Sequence, residues 1–278
     1  MSHERIAVIG GGNLGRAIAR GLVTANAYPA TDITITRRSK PALEHLASEG
    51  FAATTDNASA VREAGIVVIA VRPKQMNGVL ASIAPSLDPA RHILLSTATD
   101  VRIADIREQV GPEIAILRAM PNIGVAVGVS MTCLACDDTT PEPAKKAAEK
   151  VFTALGRVEF IAEEQMTPAT ALCACGVAFF LRAIRAASQG GVQVGFHADE
   201  AIRLAAQTAK GAAELILSGE VHPESLIDTV TTPLGVTIAG LNEMEHRGFS
   251  SAMIRGIVLS AEKAKHLYEA RNGERNTP

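Results

Sequence analysis

The chain of 278 residues contains no tryptophan, and aromatic residues make up only 3% of it. Proteins that hold single-stranded nucleic acid stack bases on aromatic side chains, so that mode of binding is excluded. Positive charge is not in excess either. The 27 lysines and arginines stand against 29 acidic residues, for a formal net charge of -2, and both signs are scattered along the chain. Neutralising a duplex requires a concentrated basic patch, so nucleic acid is not expected as a partner. No uninterrupted apolar run approaches the roughly 20 residues of a membrane-spanning helix. The start, MSHERIAVIG, lacks the basic region and cleavage pattern of a signal peptide. These absences lead to three expectations: no membrane, a cytoplasmic location, and a partner that is either a small molecule or a second copy of the chain.

Cysteine is scarce. The four occur as Cys133-Leu-Ala-Cys136 and Cys173-Ala-Cys175. On a strand, residues three apart point to opposite faces, and on a helix residues two apart diverge by about 200°. Neither motif therefore closes on itself around a metal ion or as a redox pair. The expectation is small buried thiols in a reducing compartment, with no metal.

What the chain does contain divides into two periods. As far as about residue 160, β-branched runs (RIAVIG, DITIT, GIVVIAV, HILLS, EIAILRAM) alternate with amphipathic stretches such as NLGRAIARGLVTA. That order predicts a doubly wound, mainly parallel sheet of the Rossmann type. Beyond it the strand runs stop. ATALCACGVAFFLRAIRAASQGG, ADEAIRLAAQTAKGAAELILSG, PESLIDTV, TIAGLNEMEHRG and SSAMIRGIVLSAEKAKHLYEARN read as helices punctuated by Gly or Pro. The predicted organisation is an α/β nucleotide-binding domain over residues 1–162 and an all-α domain over 163–278. The first of these helices is apolar on most sides, which predicts burial, most economically against another copy of the chain, the alternative being enclosure within its own chain.

Between the first strand and the first helix lies Gly10-x-Gly12-x-x-Gly15, with Asn13 and Leu14 inside it. Glycines there permit the tight turn and the close approach of a pyrophosphate to a helix N-terminus, so a dinucleotide is the expected cofactor. The second strand ends at Thr36, Arg37 and Arg38, where an NAD site would place a carboxylate. A hydroxyl and two guanidiniums suit a ribose 2′-phosphate, which favours NADP. Ala70, Val71, Arg72 and Pro73 end another strand, and Thr97 and Ala98 follow a further one. Ligands of open α/β sheets sit at such carboxyl edges, so both groups are expected to line the cofactor cleft. Asp56 and Asn57 read either as contacts to the adenosine side or as an Asx turn.

The order of these motifs resembles the Δ1-pyrroline-5-carboxylate reductase family along nearly the whole chain. The resemblance is carried by IGGGNLG, the AVRP strand end, RAMPN, LAAQTAKGAAELI, HPESLIDTVTTPLGVTIAGL and GFSSAMIRGI. It implies a Rossmann domain followed by a helical dimerisation domain, with larger assemblies in many members. It also implies reduction of a cyclic imine carboxylate to L-proline with NADPH or NADH. The signature turn of the family holds the substrate carboxylate on backbone N–H groups. Carried onto this sequence, Gly235 and Val236 supply N–H groups and Thr237 a hydroxyl to the imine nitrogen, Thr237 being the catalytic candidate. Several positions depart from the family pattern. Leu234 replaces the first glycine of the signature pair, Val177 and Phe179 replace a Pro and a Tyr, and Asp100 replaces a glycine. A paralogue acting on a different cyclic imine, and a protein that binds NADP without turnover, are the alternatives.

Overall fold

The computed structural model describes residues 5–219, 221–265 and 267–268. The chain forms two compact units. One runs to Cys175 and resumes at Ser260; the other is Gly176–Leu259.

The first unit is built on an eight-stranded sheet. In chain order its strands are β1 (Ile6–Ile9), β2 (Ile33–Thr36), β3 (Ala52–Thr54), β4 (Ile66–Ile69), β5 (Ile93–Ser96), β6 (Ala115–Met120), β7 (Ser130–Ala135) and β8 (Gly156–Phe160). Their spatial order is β3-β2-β1-β4-β5-β6-β7-β8. Strands β1 to β6 pair in parallel, β7 runs antiparallel to β6, and β8 is parallel to β7. This is the predicted doubly wound, mainly parallel sheet.

The continuous apolar runs have a direct cause. Side chains of a strand alternate between faces, and helices cover both faces here, so every residue of β1 and β4 is buried. Ile6 and Val8 of β1 join one apolar cluster with Ile18 and Leu22, while Ala7 and Ile9 join another with Val61, Leu80 and Ile106. The helices of this unit are α1 (Asn13–Thr24), α2 (Lys40–Ser48), α3 (Asn57–Arg62), α4 (Met76–Ile83), α5 (Ile103–Val110), α6 (Glu142–Thr153) and α7 (Met166–Ala169). Strand β8 escapes a search for apolar runs because it lies at the sheet edge and exposes Arg157, Glu159 and Phe160.

The sequence predicted one helix through ATALCACGVAFF. The structure instead changes its winding there: α7 is followed by a π-helical segment, Thr170–Cys175, and only then by α8 (Gly176–Gln193). The Thr170 hydroxyl donates to the Met166 carbonyl at 2.8 Å, competing with the helical ladder where the winding changes. Residues 163–175 belong to the sheet unit, since Met166 and Ala169 bury against Met120, Cys133 and Ala135. The compact units therefore divide after Cys175, whereas the sequence division at 162/163 follows the end of strand character.

The second unit comprises α8, α9 (Ala198–Leu217), α10 (Pro223–Thr229), α11 (Val236–His246) and α12 (Phe249–Ala264) up to Leu259. Helices α8 and α9 approach closely where Gly191 meets Ala201, and an added Cβ on Gly191 would lie 3.1 Å from that of Ala201. Helix α12 ends at Ala264, short of the stretch predicted from sequence, part of which lies outside the described residues. The chain then returns to the sheet unit. Asp100, with φ of 63°, accepts the N–H groups of Leu267 at 2.9 Å and Tyr268 at 3.2 Å. The Tyr268 hydroxyl donates to Asn77 Oδ1 at 2.7 Å. At this position, where the family pattern has glycine, Asp100 anchors the returning chain.

Candidate cofactor and substrate sites

The parallel register brings four strand ends to one edge: Ile9 pairs with Thr36 and with Ile69, and Ile69 pairs with Ser96. Gly10, Arg37, Ala70 and Thr97 are the next residues out. They surround the switch point between β1 and β4, where open α/β sheets take their ligands. The edge is closely bonded. Gly10 N–H donates to the Thr36 hydroxyl at 3.2 Å, Gly11 N–H to the Thr36 carbonyl at 2.8 Å, and Ala70 N–H to the Ile9 carbonyl at 2.8 Å. Thr97 directs both its N–H and its hydroxyl to the Ile69 carbonyl, at 3.0 and 3.1 Å. The hydroxyls of Thr36 and Thr97 thus brace the edge. Ala98 is buried beyond it, and Val71, Arg72 and Pro73 continue β4 into a short 3₁₀ turn with Arg72 exposed.

The glycine spacing fits a pyrophosphate. Gly10 has φ of 109°, and a Cβ on Gly15 would lie 2.2 Å from the Gly10 carbonyl oxygen, so α1 can start this close to β1 only with glycine at 15. At Gly12 an added Cβ would meet nothing within 4 Å, so space is open directly in front of the helix. Gly12 caps α1 without a side chain, which leaves the N–H groups of Asn13, Leu14 and Gly15 without a side-chain cap at the start of the helix.

Beside this turn, Arg37 donates through Nη1 to the Gly11 carbonyl and its own N–H donates to the Thr54 carbonyl at 3.0 Å. The half-buried guanidinium is held against the glycine turn, while Arg38 is exposed. The sequence had not singled out Gly11, although its place in a run of three glycines was the available signal. Asp56 is the N-cap of α3, accepting from Ser59 N–H at 3.1 Å, and Asn57 donates to the Ser82 hydroxyl at 3.3 Å. The structure thus supplies the Asx-type cap that was one reading of this pair.

Further across the same edge, where Arg118 pairs with Ser96, lies a charge pair that sequence reasoning missed. Arg118 of β6 is buried and donates to Glu163 Oε1 at 3.2 Å, and that oxygen also accepts the Ile103 N–H at 2.7 Å. Burial pulls the guanidinium below its ordinary value, with Glu163 opposing. Further along, Asn122 accepts the Gly124 N–H at 2.8 Å and donates to the Cys173 carbonyl at 3.3 Å.

In the helical unit, the signature stretch forms a tight turn and then a helix. Gly235 N–H donates to the Thr232 carbonyl at 2.9 Å, across Pro233 and Leu234. Leu234 has φ of 59°, so proline at the second position and positive φ at the third give the pattern of a type II turn, which ordinarily takes glycine third. Glycine is obligatory one residue later: a Cβ on Gly235 would lie 2.4 Å from the Thr232 hydroxyl oxygen. Helix α11 starts at Val236 with Gly235 as N-cap and no side-chain cap, so its first-turn N–H groups face outward. This corrects one expectation. The Gly235 N–H is committed to the turn, and the open donors start with Val236 and Thr237. The Thr232 carbonyl accepts that turn bond.

Known proteins place the chain at once. A family model described as pyrroline-5-carboxylate reductase dimerisation matches residues 163–267. One described as NADP oxidoreductase, coenzyme F420-dependent, matches residues 5–100, the nucleotide-binding half alone. Pyrroline-5-carboxylate reductase 1 of Dictyostelium discoideum is 50% identical over 274 residues, covering 95% of this chain and 50% of that protein, so the chain spans about half of that relative. Pyrroline-5-carboxylate reductase 2 of the same organism is 44% identical over 286 residues, covering 98% of this chain and 95% of that protein. A crystal structure of Plasmodium falciparum pyrroline carboxylate reductase with NADP bound superposes with a TM-score of 0.87 at 26% identity, covering 96% of this chain and 99% of that one. The helical run Glu163–Gln193 has the length and composition of a membrane span, although no apolar stretch in the sequence suggested one. It contains Arg182 and Arg185 and falls inside the segment matched as dimerisation.

Proposed function

The chain belongs to the pyrroline-5-carboxylate reductase family, and from that premise we propose that it reduces 1-pyrroline-5-carboxylate to L-proline with NADPH, accepting NADH less well. The observation that carries the reading is the open start of α11: a helix entrance with no side-chain cap, placed on the family signature, is a receptor for a small carboxylate.

Held at this edge, a reduced nicotinamide would supply the hydride for the C=N carbon. The chain supplies placement. First-turn N–H groups of α1 receive the pyrophosphate, and Arg37 and Arg38 receive the ribose 2′-phosphate. Asn57, Ala70, Val71, Arg72, Pro73, Thr97 and Ala98 line the rest of the cofactor edge. Val236 and Thr237 N–H groups hold the substrate carboxylate, and the Thr237 hydroxyl contacts the ring nitrogen. An imine takes its proton from water before binding, so no strong protein acid is required, and the nitrogen becomes the proline amine as the hydride arrives. Residues 1–162 serve as the cofactor domain and 163–278 as the dimerisation and substrate domain. The helical half joins two copies, larger assemblies are built from such dimers, and the enzyme acts in the cytoplasm.

The test is steady-state oxidation of NADPH with pyrroline-5-carboxylate, repeated with NADH and with the six-membered imine carboxylate. Turnover with the five-membered ring and a higher kcat/KM for NADPH are expected. A much larger kcat/KM for the six-membered ring would replace the substrate. Cofactor binding by calorimetry without imine-dependent oxidation would replace the enzyme by a binding protein.

A further inference from the structure

The two cysteine motifs do not close on themselves, but they meet each other. Cys133 of β7 and Cys173 of the π-helical segment are separated by 40 positions, and their sulfurs lie 3.9 Å apart. Both belong to one small apolar cluster with Met120, Met166 and Ala169. Cys133 is 5% exposed and Cys173 is half-buried. We propose that Cys133 and Cys173 form a reversible intrachain disulfide by exchange with small-molecule disulfides.

Three features support this beyond proximity. The partners stand on different elements, so closing the bond ties the second half of β7 to the segment that leads into α8. The sulfurs need approach by only about 2 Å to reach a disulfide bond length of roughly 2.05 Å. One of the two sits in π winding, where the ladder already departs from α geometry and can absorb a small shift. The half-buried member is also the better nucleophile. The sulfur–sulfur contact pulls the Cys173 thiol down to about 7, whereas the same contact and burial push Cys133 up.

The exchange balances. The Cys173 thiolate attacks one sulfur of a small disulfide, forming a mixed disulfide and releasing one small thiolate. The Cys133 sulfur then attacks Cys173 Sγ and expels the second small thiolate, and its own proton goes to solvent or to a leaving thiolate. Two electrons pass from the protein pair to the small disulfide, yielding two small thiols. The Cys173 carbonyl accepts from Asn122 of the RAMPN loop, so the bond would fix that loop as well.

Oxidised glutathione is the probe. The full-length reduced protein is equilibrated in mixtures of reduced and oxidised glutathione, trapped with iodoacetamide, and mapped by peptide mass spectrometry. The expected result is loss of two of the four thiols together, with a Cys133–Cys173 cross-linked peptide that dithiothreitol reverses. Cys136 and Cys175 stay alkylated. Cys133→Ser should stop the reaction at a Cys173–glutathione adduct, and Cys136→Ser should leave the cross-link unchanged. All four cysteines alkylated in strongly oxidising mixtures, a stable Cys173 adduct in the unsubstituted protein, or a cross-link to Cys136 or Cys175 would each overturn the proposal.

Discussion

The two units make opposite use of apolar side chains. In the sheet unit, strands and helices bury one another, and clusters on both faces of the sheet contain residues with no exposure at all. In Gly176–Leu259, only Gly176, Ser188 and Ala201 are buried among the described residues. Phe180, Leu181, Ile254, Val258 and Leu259 are all exposed there. A helical unit with so little internal core does not hold itself together by burial, because apolar area removed from water is the main favourable term in folding. The comparison teaches where self-association can act: the first unit has its core, and the second, which falls within the segment matched as dimerisation, leaves its apolar side chains outward.

The sharpest way to break that comparison is a charge on the helical unit. Val258, 52% exposed in α12, should tolerate Asp poorly once a second copy covers it, with dimer affinity falling roughly 100-fold or more for a buried unpaired charge. Val127→Asp, at a residue 74% exposed in the sheet unit, should change assembly by less than about 0.5 kcal/mol. Sedimentation velocity reads both, and equal effects would remove the contrast. Next in size, Gly15→Val should weaken NADPH by roughly 100-fold, about 2.8 kcal/mol, while leaving the oligomer intact; calorimetry that finds wild-type affinity would contradict the glycine cradle.

Smaller effects sharpen the division of labour. Thr237→Val should lower kcat/KM by about 0.5 to 1.5 kcal/mol with NADPH binding unchanged, and unchanged kinetics would remove its hydroxyl from the site. Leu234→Gly removes a side chain from left-handed backbone, worth about 1–2 kcal/mol, against an unfolded-chain entropy of about 0.4–1 kcal/mol. A small rise in Tm is expected, and a fall would mean that the side chain is packed in the assembly. Smallest is Arg20→Ala, which breaks a surface pair with Glu49 at 2.6 Å and should cost about 0.2–1 kcal/mol. The hydrogen bond from Arg20 holds the Glu49 carboxyl below its usual value. Its contribution is therefore complete above the ordinary carboxylate range and fades as pH falls through the lowered value, so the two proteins should converge in acid denaturation curves.

Much of the sheet unit was legible in the sequence, for a physical reason. Central parallel strands must be apolar throughout, and a helix that starts against a strand must begin on glycine, so IAVI, IVVI and the Gly10–Gly15 spacing announce themselves. The features that were missed depend on partners distant in the chain or on winding that carries no periodic signal. Strand β8 is half exposed and alternates. The π segment at Thr170–Cys175 has the composition of an ordinary helix. Cysteines in two short motifs were weighed against their near neighbours, whereas Cys133 meets Cys173 across the fold. At the signature turn the residues were legible but their hydrogen bonds were not: glycine at 235 is demanded by sterics, and its N–H is spent on closing the turn.

The bond from Asp100 to Tyr268 spans 168 positions, and it gives the molecule a timetable. At synthesis rates of about 5–20 residues per second, on the order of ten to thirty seconds separate the emergence of the two ends. Throughout that interval the nascent nucleotide-binding unit lacks its closing strap. The last described residues of the chain complete the first unit to be made, so a ribosome that stops anywhere in the helices releases an unfinished Rossmann unit as well as a shortened one.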